Sequence, residues 1–265
     1  SPRRCVVRRR GAAGRQDQRL YVGHDQWSLT PERTFRALTI EPLVKAISQA
    51  NAANSFHVHT NTSDLFADLQ KEQGTPHWNG FYSLGVGNSQ PIQLLVDIKN
   101  KPEAAWERVV QELEPLRRRG WLTRYENGKV IPGPVTVVGT GGTPPEKLAP
   151  LHKRDVFLDC HLDGLHKPGP KVHGHRYKWN KELCPIASAD FADVVPGYNG
   201  LQAPNKTVVK KLRGMIDYAH KLGIKTRFYD TPEWPHYAFN RVNKLLLELG
   251  SDWINADDLE KIARF

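Results

Sequence analysis

Cysteine is scarce in this 265-residue chain, which has only Cys5, Cys160 and Cys184. Their spacing matches no metal-ligand pattern, and an odd number makes no closed disulfide set. Cys160 and Cys184 are open to pairing if the fold brings them together, but the expected state of each is a buried or free thiol. Long apolar runs are missing too. No stretch approaches the roughly 20 apolar residues that a membrane-spanning helix needs. No GxGxxG follows a strand and no GxxxxGK[ST] occurs, so nucleotide-binding versions of an α/β fold have no support.

Acid is nearly absent from the start of the chain. The first nineteen residues hold Arg3, Arg4, Arg8, Arg9, Arg10, Arg15 and Arg19 against Asp17 alone. They carry +6 of the net +10, which leaves +4 for everything after them. The basicity therefore reads as a tail rather than a patch on the folded body. Such a run suits a targeting segment or an arm for nucleic acid or anionic membrane. It has no initiating Met and no apolar signal-peptide core, and residues 1–19 are expected to be a disordered or artefactual start. Residues 20–265 are expected to form one domain, and the whole chain, at 25% charged residues, has an ordinary globular composition.

What is present is a repeated alternation of strand and helix. Ile92 to Asn100, IQLLVDIKN, has four β-prone apolar residues in near-continuous order. It reads as a strand buried on both faces that ends in Asp97 and Lys99, which period-two alternation places on one face. Upstream, Leu20 to Val22 is a short strand before Gly23, His24 and Asp25, and Leu43, Val44 and Ile47 give helical spacing. Downstream, Trp106, Val109, Leu113 and Leu116 predict a helix that Pro115 ends or kinks and Gly120 stops. Further strands are predicted at Pro134–Gly141, Val156–Leu158, Pro185–Phe191 and Ile224–Asp230, with a sixth in DWINADD. A helix is predicted from Asn205 to Gly223 and another over Tyr237–Leu249. Repeated βα units with acids at strand ends argue for an α/β barrel or a doubly wound sheet.

The candidate chemistry sits at the strand ends. His24 suits a general acid or base. Asp97, Asp159, Asp230, Asp257 and Asp258 are oxygen donors suited to a hard divalent ion such as Mg²⁺ or Ca²⁺, which would polarise a phosphoryl oxygen. For Asp159 and Asp258 helix N-capping is the favoured alternative. Lys99 would hold a phosphate oxygen or pair with Asp97, because an inward ammonium needs a partner. Trp234 follows the fifth strand and would line a pocket mouth, or simply pack. His57 and His59 in HVHT lack completing metal ligands, and His173 and His175 in HGHR are expected in a loop.

Several phrases in order resemble one family: YVGHDQWSLTPERTFRALTIEPLV, QLLVDIKNKPEAAWERVVQELEPLRRRGWLT, PVTVVGTGGTP, RDVFLD, IKTRFYDTPEWP and DWINADDL. They resemble the fungal altered-inheritance-of-mitochondria protein 6 family, itself similar to glycerophosphodiester phosphodiesterases and the wider phospholipase-C-like phosphodiesterase superfamily. The resemblance runs from about Leu20 to the C-terminus. It implies a TIM-type (β/α) barrel that cleaves phosphodiesters with a divalent metal, Mg²⁺ or Ca²⁺, and two histidines as acid and base. His24 in GHD matches the second of those histidines, Asp97 in VDIK an acidic metal ligand, and Lys99 the adjacent lysine. Tyr229 and Trp234 fall where the family lines its pocket.

The family's first strand, with an HND-like motif, and its second, with an acid-x-acid pair, have no counterpart before RLYVGHD. The barrel is therefore expected to lack its first two strands, and the chain to be N-terminally incomplete or a degenerate paralogue. The implied function is metal-dependent hydrolysis of glycerophosphodiester or phospholipid-type substrates. The alternative is a non-catalytic barrel that binds a phosphorylated ligand. A small-molecule or lipid phosphodiester is the expected partner, and no specific nucleic acid is.

Overall fold

The predicted apolar strands become a sheet because each buries both faces at once. In this computed structural model residues 3–9 (as backbone), 19–23, 27–50, 91–99 and 102–263 are described. The elements run β1 (Arg3–Arg9), β2 (Leu20–Val22), α1 (Glu41–Ala50), β3 (Ile92–Ile98), α2 (Pro102–Glu112) and α3 (Glu114–Arg117). Next come β4 (Arg124–Glu126), β5 (Lys129–Ile131), β6 (Val135–Gly141), α4 (Pro145–Leu148), β7 (Lys153–Arg154) and β8 (Val156–His161). Then follow β9 (Lys171–Val172), β10 (His175–Arg176), β11 (Ile186–Asp190), α5 (Phe191–Val194) and α6 (Lys206–Lys221). The last are β12 (Lys225–Tyr229), α7 (His236–Glu248), β13 (Trp253–Ile254) and α8 (Leu259–Ala263).

The main sheet has the order β13-β12-β11-β8-β6-β3-β1-β2. From β3 to β13 six strands pair in parallel, each in sequence order beside the last. That is a curled, open sheet, compatible with part of a TIM-like barrel. Beside β3 stands β1, parallel to it, with β2 antiparallel at the edge. Arg3–Arg9 thus runs as a strand inside the segment expected to be a disordered tail. The physical reason lies in RRCVVRR, where Cys5, Val6 and Val7 are strand formers set against the edge of β3 opposite β6.

The two faces of the sheet bury different things. Leu94, Val96, Ile98, Val137, Leu158, Ala187 and Phe228 share one core with residues of the outer helices, among them Leu116, Leu212, Ile216 and Val242. Leu95, Val138 and Ile186, one residue out of step, make a separate small cluster with Trp253 on the opposite, inward face. Helix boundaries follow local chemistry. Leu113 separates α2 from α3, with Pro115 in the first turn of α3, and Gly120 takes a positive φ of 68° just after. The Asn205 side chain accepts from the Val208 N–H at 2.9 Å to cap α6, and Gly223 closes that helix at φ 71°.

Two expectations need correction. Cys160 and Cys184, expected as buried or free thiols, form a disulfide with their Cα atoms 5.8 Å apart. The connection after β8 turns back along that strand, and the Leu158 N–H donates to the Leu183 carbonyl at 2.9 Å, which brings Cys184 beside Cys160. HGHR is no plain loop: β9 and β10 form a hairpin whose turn residues, His173 and Gly174, both have positive φ. His57 and His59 lie outside the described residues. Among the described residues, no helix is long and apolar enough to cross a membrane.

Asp252 ties α6 to the start of β13. Its Oδ2 accepts from the Thr226 N–H at 2.8 Å and lies 2.9 Å from His220 Nε2. Burial pushes this carboxyl up, but hydrogen bonds from His220 and Thr226 outweigh it, so its pKa falls below the ordinary value of 3.8. A carboxyl depressed by folding stabilises above its unfolded pKa and loses that contribution as pH falls through the folded value. Asp252→Asn is therefore expected to melt lower near neutral pH and to show a flatter decline in Tm on acidification below about pH 4. Parallel decline of wild type and variant in thermal melts contradicts this.

Candidate active site at the C-terminal end of the sheet

Two residues beyond the inward cluster, period-two alternation puts a polar layer on the same face: Asp97 after Leu95, Thr140 after Val138, Ser188 after Ile186 and Asn255 after Trp253. Asp159 on β8 and Arg227 on β12 belong to it as well. Every one of these lies toward the C-terminal ends of the parallel strands, where α/β sheets place ligands.

Asp97 is the most enclosed member, at 0% exposure. A buried carboxylate needs a counter-charge, and Lys99 supplies it, with Nζ 2.9 Å from Oδ2 and its side chain 36% exposed. The ammonium thus links a buried carboxylate to solvent. Asp97 pairs in register with Thr140, and Gly141 follows at φ 63°. A Cβ at Gly141 would collide with Asp97 Oδ1, so the carboxylate occupies space that only glycine leaves open.

On the other side of the layer stands a second charged group. Arg227 is 4% exposed, with Nη1 3.9 Å from Asp159 Oδ2 and 3.2 Å from Ser188 Oγ, to which it donates. Its Nη2 donates to Asn255 Oδ1 at 2.5 Å. Burial drives the Asp159 carboxyl above the ordinary carboxylate range, and the Ser188 hydroxyl, the Arg227 charge and the Thr140 hydroxyl only partly offset this. Asp159 therefore caps no helix, contrary to expectation. The strand continues to His161, which keeps Asp159 inside the sheet. Asp258 does act as a cap, accepting from the Lys261 N–H at 2.9 Å.

The remaining candidates scatter. Tyr229 lies on β12 beside Arg227, whose guanidinium carbon is 5.5 Å from its ring centroid. Trp234, in the loop after β12, is 76% exposed and packs edge-on against His236. Both are four strands across the sheet from Asp97. Asp230 and Asp257 are exposed. His24 lies outside the described residues, as does Asp25. Sequence reading missed Arg227, Ser188 and Asn255. The signal for Arg227 was there: within KTRFY, Lys225, Arg227 and Tyr229 alternate with Thr226 and Phe228, which marks a polar inward face on an interior strand.

A hard divalent ion takes six or more oxygen ligands, or fewer with waters completing the shell. Among the described residues no three His, Cys, Asp or Glu side chains gather as a metal site, and Lys99 already holds one oxygen of Asp97. The described residues do not by themselves fit such an ion.

Fold and site together define an α/β protein with a curled, half-barrel parallel sheet and a charged layer at the C-terminal strand ends. Within that class the relationship is specific: the AIM6-like phosphodiesterase domain matches residues 13–159. The chain is 32% identical over 243 residues to the Altered inheritance of mitochondria protein 6 homolog of Arthroderma benhamiae, covering 91% of this chain and 68% of that one. It is 27% identical over 267 residues to Altered inheritance of mitochondria protein 6 of Candida glabrata, covering 94% and 59%. Against the Saccharomyces cerevisiae S288c protein of that name the identity is 26% over 258 residues, covering 91% and 60%. The chain thus spans about three fifths to two thirds of these relatives' lengths. No solved structure matches it. This chain belongs to the AIM6-like phosphodiesterase family.

The Arg227–Asp159 contact generates a stability test. Arg227→Met strands a buried carboxyl and is expected to cost about 3–5 kcal/mol in urea unfolding. Adding Asp159→Asn removes the stranded charge and should recover at least half of that loss. A double variant as unstable as Arg227→Met would show that the two charges are not coupled.

Proposed function

We propose that the chain is a phosphodiesterase domain acting on glycerophosphodiester or phospholipid-type substrates, with Lys99 as the contact to a phosphate oxygen. The observation that carries this reading is the Asp97–Lys99 pair at 2.9 Å, set at a strand end in a chain of a phosphodiesterase-like family. An ammonium pinned by a buried carboxylate is oriented before substrate arrives. It can therefore stabilise negative charge that grows on the phosphate in the transition state. Asp97 serves by holding Lys99 in place. His24 is the proposed acid or base for the attacking or leaving oxygen. Tyr229 and Trp234 are proposed to line the space for the rest of the substrate. A divalent ion, Mg²⁺ or Ca²⁺, enters only by resemblance and would need ligands from residues outside those described.

One observation favours a second reading, a barrel that binds a phosphorylated ligand without turnover. Lys99 engages Asp97 directly, at 2.9 Å. The deciding experiment measures glycerophosphocholine hydrolysis with Mg²⁺, with Ca²⁺ and with EDTA, for wild type, His24→Ala, Asp97→Ala and Lys99→Ala. Each substitution is expected to lower kcat/KM by about 10²–10⁴-fold. Equal activity in all four proteins would remove the site assignment. Calorimetric binding of glycerol 3-phosphate by a wild type that hydrolyses nothing would establish the second reading.

A further inference from the structure

The body's positive charge is not spread evenly. Between Asp163 and Glu182 there is no acid, while Lys167, Lys171, Arg176, Lys178 and Lys181 supply +5. Residues 20–265 net only +4, so the rest of the body is close to neutral, at −1. All five cations are exposed, as are His166, His173 and His175 among them. They ride on the β9–β10 hairpin and its flanks, which a set of local contacts holds in shape. Arg176 Nη1 donates to the Gly169 carbonyl at 3.0 Å, the Tyr177 N–H to Pro170 at 2.9 Å, and Trp179 Nε1 to Lys167 at 3.1 Å. A Cβ at Gly169 would strike the Tyr177 carbonyl, so the stem of the hairpin closes tightly.

We propose that this hairpin docks the domain on an anionic phospholipid surface. A cluster of four to eight cations without interleaved acid is the usual footprint for acidic headgroups, each contributing through the surface potential of the membrane. The connection that carries the hairpin leaves the C-terminal end of β8 and returns to the start of β11, with Lys181 beside Gly223 at the other end of the sheet. The C-terminal end of the sheet separately exposes Leu201, Trp234 and Tyr237 at 44%, 76% and 55%. Trp and Tyr suit the bilayer interface, where the ring is apolar and its tip wet. Nucleic acid fits less well. Within the hairpin Tyr177 and Trp179 are only half exposed, with His175 edge-on to Tyr177 and the Trp179 indole N–H already spent, so neither offers an open platform for base stacking. The inference deepens the proposed function by placing the phosphodiester substrate on a membrane, but the docking itself rests on charge and shape.

The test is co-sedimentation of the full chain with phosphatidylcholine vesicles, with and without about 30 mol% phosphatidylserine. Lys167→Gln/Lys171→Gln/Lys178→Gln is expected to lose about 100-fold in affinity for the anionic vesicles. Lys210→Gln/Lys211→Gln/Lys221→Gln, which removes the same charge from α6, is expected to lose no more than about threefold. Circular dichroism melts should match wild type for both, since every altered side chain is exposed. Equal binding by wild type and the hairpin variant would overturn the proposal and assign binding to the Arg-rich start. Equal loss in both variants would overturn it too, leaving net charge alone. Tighter binding to a single-stranded RNA probe than to the vesicles, lost in the hairpin variant, would replace lipid with nucleic acid. Hydrolysis of soluble glycerophosphocholine is read in parallel. Docking lost with hydrolysis intact supports both readings, and docking lost in a chain that hydrolyses nothing supports this one while removing the catalytic one.

Discussion

A carboxylate with no exposure has to be compensated where it sits, and that requirement at Asp97 organises the end of the sheet. Lys99 is held on the same face by alternation, two residues past Asp97 and just beyond the end of β3, which brings its ammonium to Oδ2. Gly141 is the other half of the constraint, since any side chain there would displace the carboxylate. Strand pairing between β3 and β6 therefore builds the site as well as the core. The chemistry proposed for Lys99 follows from this, because a pinned ammonium is available to a phosphate in a way that a free surface lysine is not.

The polar layer repeats this logic at its other side with different parts. Arg227 lies between Asp159, Ser188 and Asn255, so one guanidinium links four adjacent strands. Guanidinium groups carry donors only, so Asn255 must present its oxygen to Arg227. Below the layer, Leu95, Val138, Ile186 and Trp253 close the inward face with apolar packing. The sheet thus separates a dry floor from a charged upper layer over a two-residue step.

Much of this was legible in the residues. IQLLVDIKN announced both a doubly buried strand and the two charges at its end, and Asn205 and Gly223 marked the ends of α6 to within a residue or two. Asp159 was not legible, because a carboxylate after VFL looks alike whether the strand stops there or runs on to His161; only pairing with β11 decides. Arg227 went unread because its partners come from three other strands. The disulfide and the hairpin depend on how the connection after β8 folds back, which no periodicity encodes. Averaging charge over the body hid the hairpin's five cations behind a near-neutral remainder.

The most direct test of the central claim, that Asp97 holds Lys99 ready for a phosphate, is a crystal structure of the chain with glycerol 3-phosphate. The account predicts a phosphate oxygen within about 3 Å of Lys99 Nζ, with Asp97 still buried beside it. A phosphate bound elsewhere, with Lys99 engaged only by Asp97, would contradict it.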